Sequence, residues 1–317
     1  MKRFLALTIA VLMLLCTFAA CSQEQNEEGG TIAPVETNEM IHKVEGTYND
    51  QYYYEYIEGD EVAIVGFAAS HEVHAIAVPA VIDDRPVTRI EDSAFKCKTN
   101  ISEVTLPDGI RYIGVAAFAE CNKLAKINVP DAVVFIGEAA FAYTALEEIT
   151  LPAGLETLEA RAFYGCSALT VARLPQGLDK IAAQLFMDCP VLATVVWGDA
   201  ITEIGDYAFF GCKALTSFPT LSADATSIGK YAFAECAALT AVTLPAKMNS
   251  IGKSAFYGCT GLTAVTFANT TAEWSLASDE AFKEPATWVG ADAAQNVVAL
   301  TETYVSYFWE IPAEPAN

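Results

Sequence analysis

The residues best suited to chemistry in this 317-residue chain are its cysteines. Six of the nine, Cys121, Cys166, Cys189, Cys212, Cys236 and Cys259, recur at intervals close to 23 residues or twice that. A thiolate nucleophile needs a base beside it. The three histidines, His42, His71 and His74, all precede these six cysteines, so a Cys-His dyad is not expected. His71, Glu72 and His74 form His-x-x-His rather than the His-Glu-x-x-His of zinc proteases, with no third ligand nearby in sequence, and read as a surface loop. Asp83 with Asp84, and Glu147 with Glu148, are neighbours that would point apart on a strand. Acid-base catalysis instead needs carboxylates converging on one pocket. The sequence contains no Gly-rich phosphate loop and no serine nucleophile elbow. No catalytic residue, cofactor or metal is therefore expected, and the chain is not expected to be an enzyme.

What positions the cysteines is a repeat. Phenylalanines fall at Phe95, Phe118, Phe141, Phe163, Phe186, Phe209, Phe233 and Phe256, at intervals of 23, 23, 22, 23, 23, 24 and 23. Five residues before each lies an aliphatic: Ile90, Ile113, Ile136, Leu158, Ile181, Ile204, Ile228 and Ile251. Alanine precedes each Phe except at Leu185, and the six cysteines stand three residues after their Phe. Ile113, Ala117, Cys121 and Leu124 are spaced 4, 4 and 3, which places them on one face of a short helix or helical turn. Ile127 and Val129 then alternate with Lys126 and Asn128 as a strand does. Pro130 ends that strand, because it offers no backbone N–H.

One such unit cannot bury its own apolar face, so the units must stack, each on its neighbours. The expected fold is an α/β repeat solenoid of about eight 22–24-residue rungs, with parallel β-strands on one face and terminal caps. Ladders of Phe, Ile, Ala and Cys form its core. Cysteines at equivalent positions of adjacent rungs point the same way, so packed, reduced thiols are expected rather than disulfides. Cys97, one position out of register, is the expected exception. The 22-residue interval at Ala142 to Leu146, the 24-residue interval at Phe218 to Ile228 with Pro219, and Trp197-Gly198 mark where a bulge, bend or binding feature would sit.

The outward strand positions are the candidate binding face: Glu103, Thr105, Lys126, Asn128, Glu148, Thr150, Arg173, Thr194, Val196, Thr243 and Thr266. They carry no aromatic stripe, and β-branched residues also suit exposed strands for their own sake. Aromatics gather at the ends instead. Tyr52, Tyr53, Tyr54 and Tyr56 precede the first rung; Trp274, Trp288, Tyr304, Tyr307, Phe308 and Trp309 follow the last. Covering the open ends of the core is their expected role, with the exposed tyrosines a second-choice contact site.

The N-terminus gives an address. Lys2 and Arg3 precede an apolar run from Phe4 to Leu15, which reads as a secretory signal and is short for a membrane span. Ala19 and Ala20 precede Cys21 in an arrangement that resembles the bacterial lipobox, although Phe18 stands where Leu is usual. Cys21 is thus the expected lipidation site, and two acyl chains give durable anchoring. The expected layout is a signal peptide at 1–20, a flexible acidic tether at 21–48, an N-terminal β cap at 49–85, the solenoid at 86–268, and a C-terminal cap and tail at 269–317. Hydrophobic residues are 53% and charged residues 18% of the chain, which excludes wholesale disorder. Acidic residues outnumber basic ones 40 to 18, which argues against a nucleic-acid partner, since the phosphate backbone would be repelled.

The unit Ile-Gly-x-x-Ala-Phe-x-x-Cys-x-x-Leu-x-x-Ile-x-Leu-Pro, as seen from Ile113 to Pro130, resembles the BspA-like leucine-rich repeats of bacterial surface lipoproteins. The turn Ile82-Asp83-Asp84-Arg85-Pro86-Val87 is similar to the family's Ile-Asp-Gly-x-Pro-Val, with Asp84 where Gly is usual. The resemblance spans roughly 57 to 309. It implies an exported, membrane-anchored lipoprotein at the bacterial cell surface or periplasmic face, monomeric and non-catalytic. It also implies protein or cell adhesion through an extended solenoid surface, with a host or bacterial protein or a glycan as partner. A structural envelope protein contacting neighbouring bacterial components is the alternative, and a hydrolase on a repeat scaffold is a third reading.

Overall fold

The computed structural model describes residues 46–49, 51–68, 73–269, 274–277, 283–286, 293–303 and 308–310. Signal peptide, Cys21 and nearly all of the tether lie outside them, as do His71, Glu72, Trp288, Tyr304 and Tyr307.

The chain winds into a parallel β-solenoid in which most rungs supply two short strands and a stretch of turns. One file of strands carries the recurrent isoleucines and is called here the Ile-strand sheet. It runs in register from Arg85–Ile90 through Tyr112–Ile113 and Phe135–Ile136 to Thr157–Leu158. After an interruption it resumes from Lys180–Ile181 through Glu203–Ile204 and Ser227–Ile228 to Ser250–Ile251. At the N-terminal end it is extended by Glu61–Phe67, which pairs parallel to Arg85–Ile90, and by the antiparallel strands Tyr52–Ile57 and Gly46–Tyr48. At the other end Phe308–Glu310 pairs antiparallel with Ser250–Ile251.

The second file, the Pro-strand sheet, holds the strands that precede each proline. It falls into three pieces: Ala75–Ala77, Glu103–Thr105 and Lys126–Ile127; then Glu148–Thr150, Val171–Arg173 and Thr194–Val196; then Ala241–Leu244 and Ala264–Phe267. The breaks coincide with the two irregular intervals. At the first, one residue is missing between Phe141 and Phe163; at the second, Pro219 withholds a ladder donor. Phe218 fills the second gap from inside, with its ring 5.0 Å from that of Phe233.

Between the sheets lies one core. The eight repeat phenylalanines are fully buried and stack face on face, with ring centroids 5.0 to 5.6 Å apart. Phe67 continues the file upstream, 5.3 Å from Phe95. Trp309 is buried beyond the last rung and stacks 6.4 Å from Phe267. Tyr52 and Tyr54 turn inward at the other end while Tyr53 between them faces out, as strand alternation requires; Tyr56 shares the face of Tyr54 and is exposed.

The return segments are built differently from the short helix that the 4, 4, 3 spacing suggests. In every rung the residues two before and two after the Phe have positive φ, as at Ala116 (52°) and Glu120 (63°), or Tyr207 (58°) and Gly211 (75°). An α-helix of L-residues cannot accommodate this alternation. The segment instead becomes consecutive turns whose Phe N–H points at the next rung: Phe118 N–H donates to Ala140 O, and Phe141 N–H to Ala162 O. The apolar positions still face inward, which is why the spacing looked helical. The described α-helix, Ala293–Val298, lies after the last rung and runs on into the π-helical Ala299–Thr303.

Candidate binding surface

The groups singled out for chemistry are distributed between a sealed interior and open sheet faces. All six ladder thiols are free and buried. Each donates its S–H to the backbone carbonyl of the Phe one rung back, as in Cys189 to Phe163 (3.1 Å) and Cys212 to Phe186 (3.1 Å). Burial pushes the thiols of Cys121 and Cys259 up to about 12, and that of Cys236 well above its ordinary value. Buried and bonded to backbone carbonyls, the six sulfurs are packing groups. Where the 22-residue rung lacks the cysteine, Thr144 takes its place and donates to Phe141 O (2.9 Å). Cys97 stands outside the ladder of free, buried thiols.

Of the acidic pairs, Glu147 and Glu148 both line an open cleft of about 350 Å³ with Glu103 and Lys126, whereas the carboxylate of Asp83 is taken up by tyrosine hydroxyls. Asp83 accepts the hydroxyls of Tyr54 and Tyr56, both at 2.7 Å, and these bonds hold its carboxyl below the usual range. Asp83 and Asp84 both have positive φ (51° and 62°), so Asp84 takes the glycine-like conformation itself. Glu148 pairs with Arg173 at 3.1 Å. His74 Nδ1 lies 3.0 Å from Asn100 O.

Every residue of the expected binding face is exposed on the Pro-strand sheet or at its margin, but the sheet's two breaks divide them. Glu103 registers with Lys126; Thr150 with Arg173 and Val196; Glu148 with Thr194 through Val171; and Thr243 with Thr266. Asn128 has a structural task, because its amide bonds both N–H and C=O of Leu106 (2.7 and 2.8 Å).

A second outward file went unread, and it is the more distinctive one. On the Ile-strand sheet the residue before each ladder aliphatic faces out, which aligns Arg89, Tyr112, Phe135 and Thr157 in one register. The Arg89 guanidinium lies 4.0 Å above the Tyr112 ring, and Tyr112 stacks on Phe135 at 4.5 Å with the rings 3° from parallel. Beside them Arg111 pairs with Glu61 through Nη2, and Thr88 Oγ1 donates to the same carboxylate (2.8 Å). The Thr88 hydroxyl, with Arg111, holds the Glu61 carboxyl below the usual range. Arg89 Nε donates to Glu91 (2.6 Å). Tyr56, Glu61, Arg89, Arg111, Tyr112 and Val134 line a cleft of about 720 Å³. The signal was legible, since these residues share the repeat period of the isoleucines they precede.

Comparison with known proteins places this architecture. The family described as BspA type leucine rich repeat region matches in six copies over residues 88–216 and 180–284. A leucine-rich repeat protein from Bacteroides ovatus is similar in structure, with 24% identity over 71% of each chain and a TM-score of 0.51. A leucine rich cell surface protein from Faecalibacterium prausnitzii is 22% identical, covering 70% of this chain and 76% of that one, with a TM-score of 0.50. Likeness at these identities speaks for the fold. No curated protein matches the chain. With its repeats matched across more than half its length, the chain belongs to the BspA-type leucine-rich repeat family.

Proposed function

We propose that this protein is an exported, lipid-anchored scaffold of the bacterial cell surface, which binds a partner protein through its outward sheet faces without catalysing a reaction. In this reading residues 1–20 direct export, Cys21 carries the acyl chains, and the acidic segment after it is the leash that holds the solenoid away from the membrane; the leash stops short of the expected residue 48, because Gly46–Tyr48 pairs as a strand with Tyr52–Tyr54. The observation that carries the reading is the division of chemistry across the wall of the solenoid. The ladder thiols are spent on interior carbonyls. The varied charged and aromatic side chains stand in register along open faces. A surface of this kind presents itself to a macromolecule rather than enclosing a small substrate. The description of the F. prausnitzii protein as a cell surface protein agrees with that address.

The test compares cells expressing the wild-type chain with cells expressing Cys21→Ser, by membrane fractionation and by adhesion to immobilised host matrix proteins. The proposal expects the variant to move to the soluble fraction and adhesion to fall with it. Retention of the variant in membranes contradicts the anchor, and wild-type cells that adhere no better than cells lacking the protein contradict the binding role.

A further inference from the structure

The chain has six arginines, and three of them, Arg85, Arg89 and Arg111, sit together at the N-terminal end of the Ile-strand sheet of a strongly acidic protein. Arg89 and Arg111 both line the cleft that also includes Tyr56, Glu61, Tyr112 and Val134. Each is held at one point. Arg89 is fixed by its Nε bond to Glu91 and by the Tyr112 ring beneath it; Arg111 is fixed by Glu61. A guanidinium carries five N–H donors in a planar fork, so each keeps donors available while its position is set. Their side chains are 36% and 53% exposed. Ordered, half-exposed arginines beside aromatic rings are the residues that dominate binding energy at protein interfaces, because little side-chain freedom is left to lose.

Resting on the scaffold reading above, we infer that this cleft is the specific contact site, and that it takes an acidic peptide segment of a partner protein. Carboxylates of that segment accept from Arg89 and Arg111, and an apolar side chain lies along Tyr112 and Val134. Glu61 and Glu91 are committed to the two arginines and so orient them rather than oppose the ligand; Glu58 stands exposed at the edge.

The experiment presents a displayed library of random short peptides to the full chain purified in detergent, and depletes the captured pool on Arg89→Ala/Arg111→Ala. Surviving peptides are expected to be enriched in Asp and Glu over the starting library. By fluorescence anisotropy they should bind the double variant at least about ten-fold more weakly, and bind Arg173→Ala, on the other sheet, as they bind wild type. If the alanine pair does not fold by circular dichroism, Arg89→Lys/Arg111→Lys replaces it, since lysine keeps the charge but loses the fork. No survivors, survivors without acidic enrichment, or equal binding to the folded double variant would overturn the inference. A wild-type chain that supports cell adhesion while failing this test leaves the scaffold reading standing; failure of adhesion itself removes that reading first.

Discussion

Cys121 donates its thiol proton to the backbone carbonyl of Phe95, one rung back, at 3.0 Å. That contact joins three features of the chain that look separate in sequence: the cysteine three residues after six of the eight repeat phenylalanines, the Phe itself, and the repeat interval of about 23 residues. The same bond recurs at Cys166, Cys189, Cys212, Cys236 and Cys259, so the thiol ladder stitches each cysteine-bearing rung to the one before it.

Phe163 lies between Phe141 and Phe186, at 5.5 and 5.4 Å, and is fully buried. Phe163→Ala should destabilise the fold by about 3–5 kcal/mol, from lost burial and the cavity left between rungs. Urea unfolding followed by circular dichroism checks this; a loss below about 1 kcal/mol would mean that the rungs close the gap unaided.

Rung spacing predicts which glycines are replaceable. A Cβ on Gly205 would lie 2.6 Å from Ala183 N and 2.9 Å from Ala182 C, both backbone atoms of the preceding rung. Gly205→Ala should therefore cost about 1–3 kcal/mol as an overpacking defect. A Cβ on Gly177 meets nothing within 4 Å, so Gly177→Ala should be neutral or slightly stabilising. Melting temperatures of the two variants provide the comparison.

Two carboxylates give opposite pH signatures. Burial raises the Glu120 carboxyl above its ordinary range; its Oε1 accepts no hydrogen bond, and Lys96 reaches only to 4.0 Å. A raised folded-state value means that ionisation weakens the fold, so stability falls as pH rises through it. Glu120→Gln should thus raise the thermal midpoint at neutral pH and leave it unchanged below about pH 4. Glu61 is held low by Thr88 and Arg111, so it stabilises the fold above its unfolded value and loses that contribution as pH falls. Glu61→Gln should lower the midpoint at neutral pH, with the difference vanishing in acid. Melting curves across pH read both signs.

The rung period and the inward Phe, Ile and Cys files were legible because burial imposes residue type at a fixed interval, and the irregular intervals marked where the Pro-strand sheet breaks; the gap in the Ile-strand sheet between Leu158 and Lys180 falls in a regular interval and had no such mark. The turn-built return was not. Its positive-φ positions are filled by residues such as Ala116, Ala139 and Tyr143, and only Gly165, Gly211 and Gly258 announce the conformation at Phe+2. Spacings of four and three also place side chains on one side whether the backbone is helical or a run of turns. The Arg89–Tyr112–Phe135 file was harder to read, because its residues vary in type and stand one position before the uniform ladder aliphatics, with no proline to mark their strand. A solenoid of this kind has a second strand file, and its outward residues follow the same period.

Thiol accessibility tests the continuous sealed core most directly. The full chain is treated with a maleimide before and after denaturation, and modified cysteines are mapped by mass spectrometry. The account predicts that Cys121, Cys166, Cys189, Cys212, Cys236 and Cys259 stay unmodified in the native protein and all become modified on unfolding. Rapid labelling of these residues in the folded chain, or disulfides among them, would contradict it.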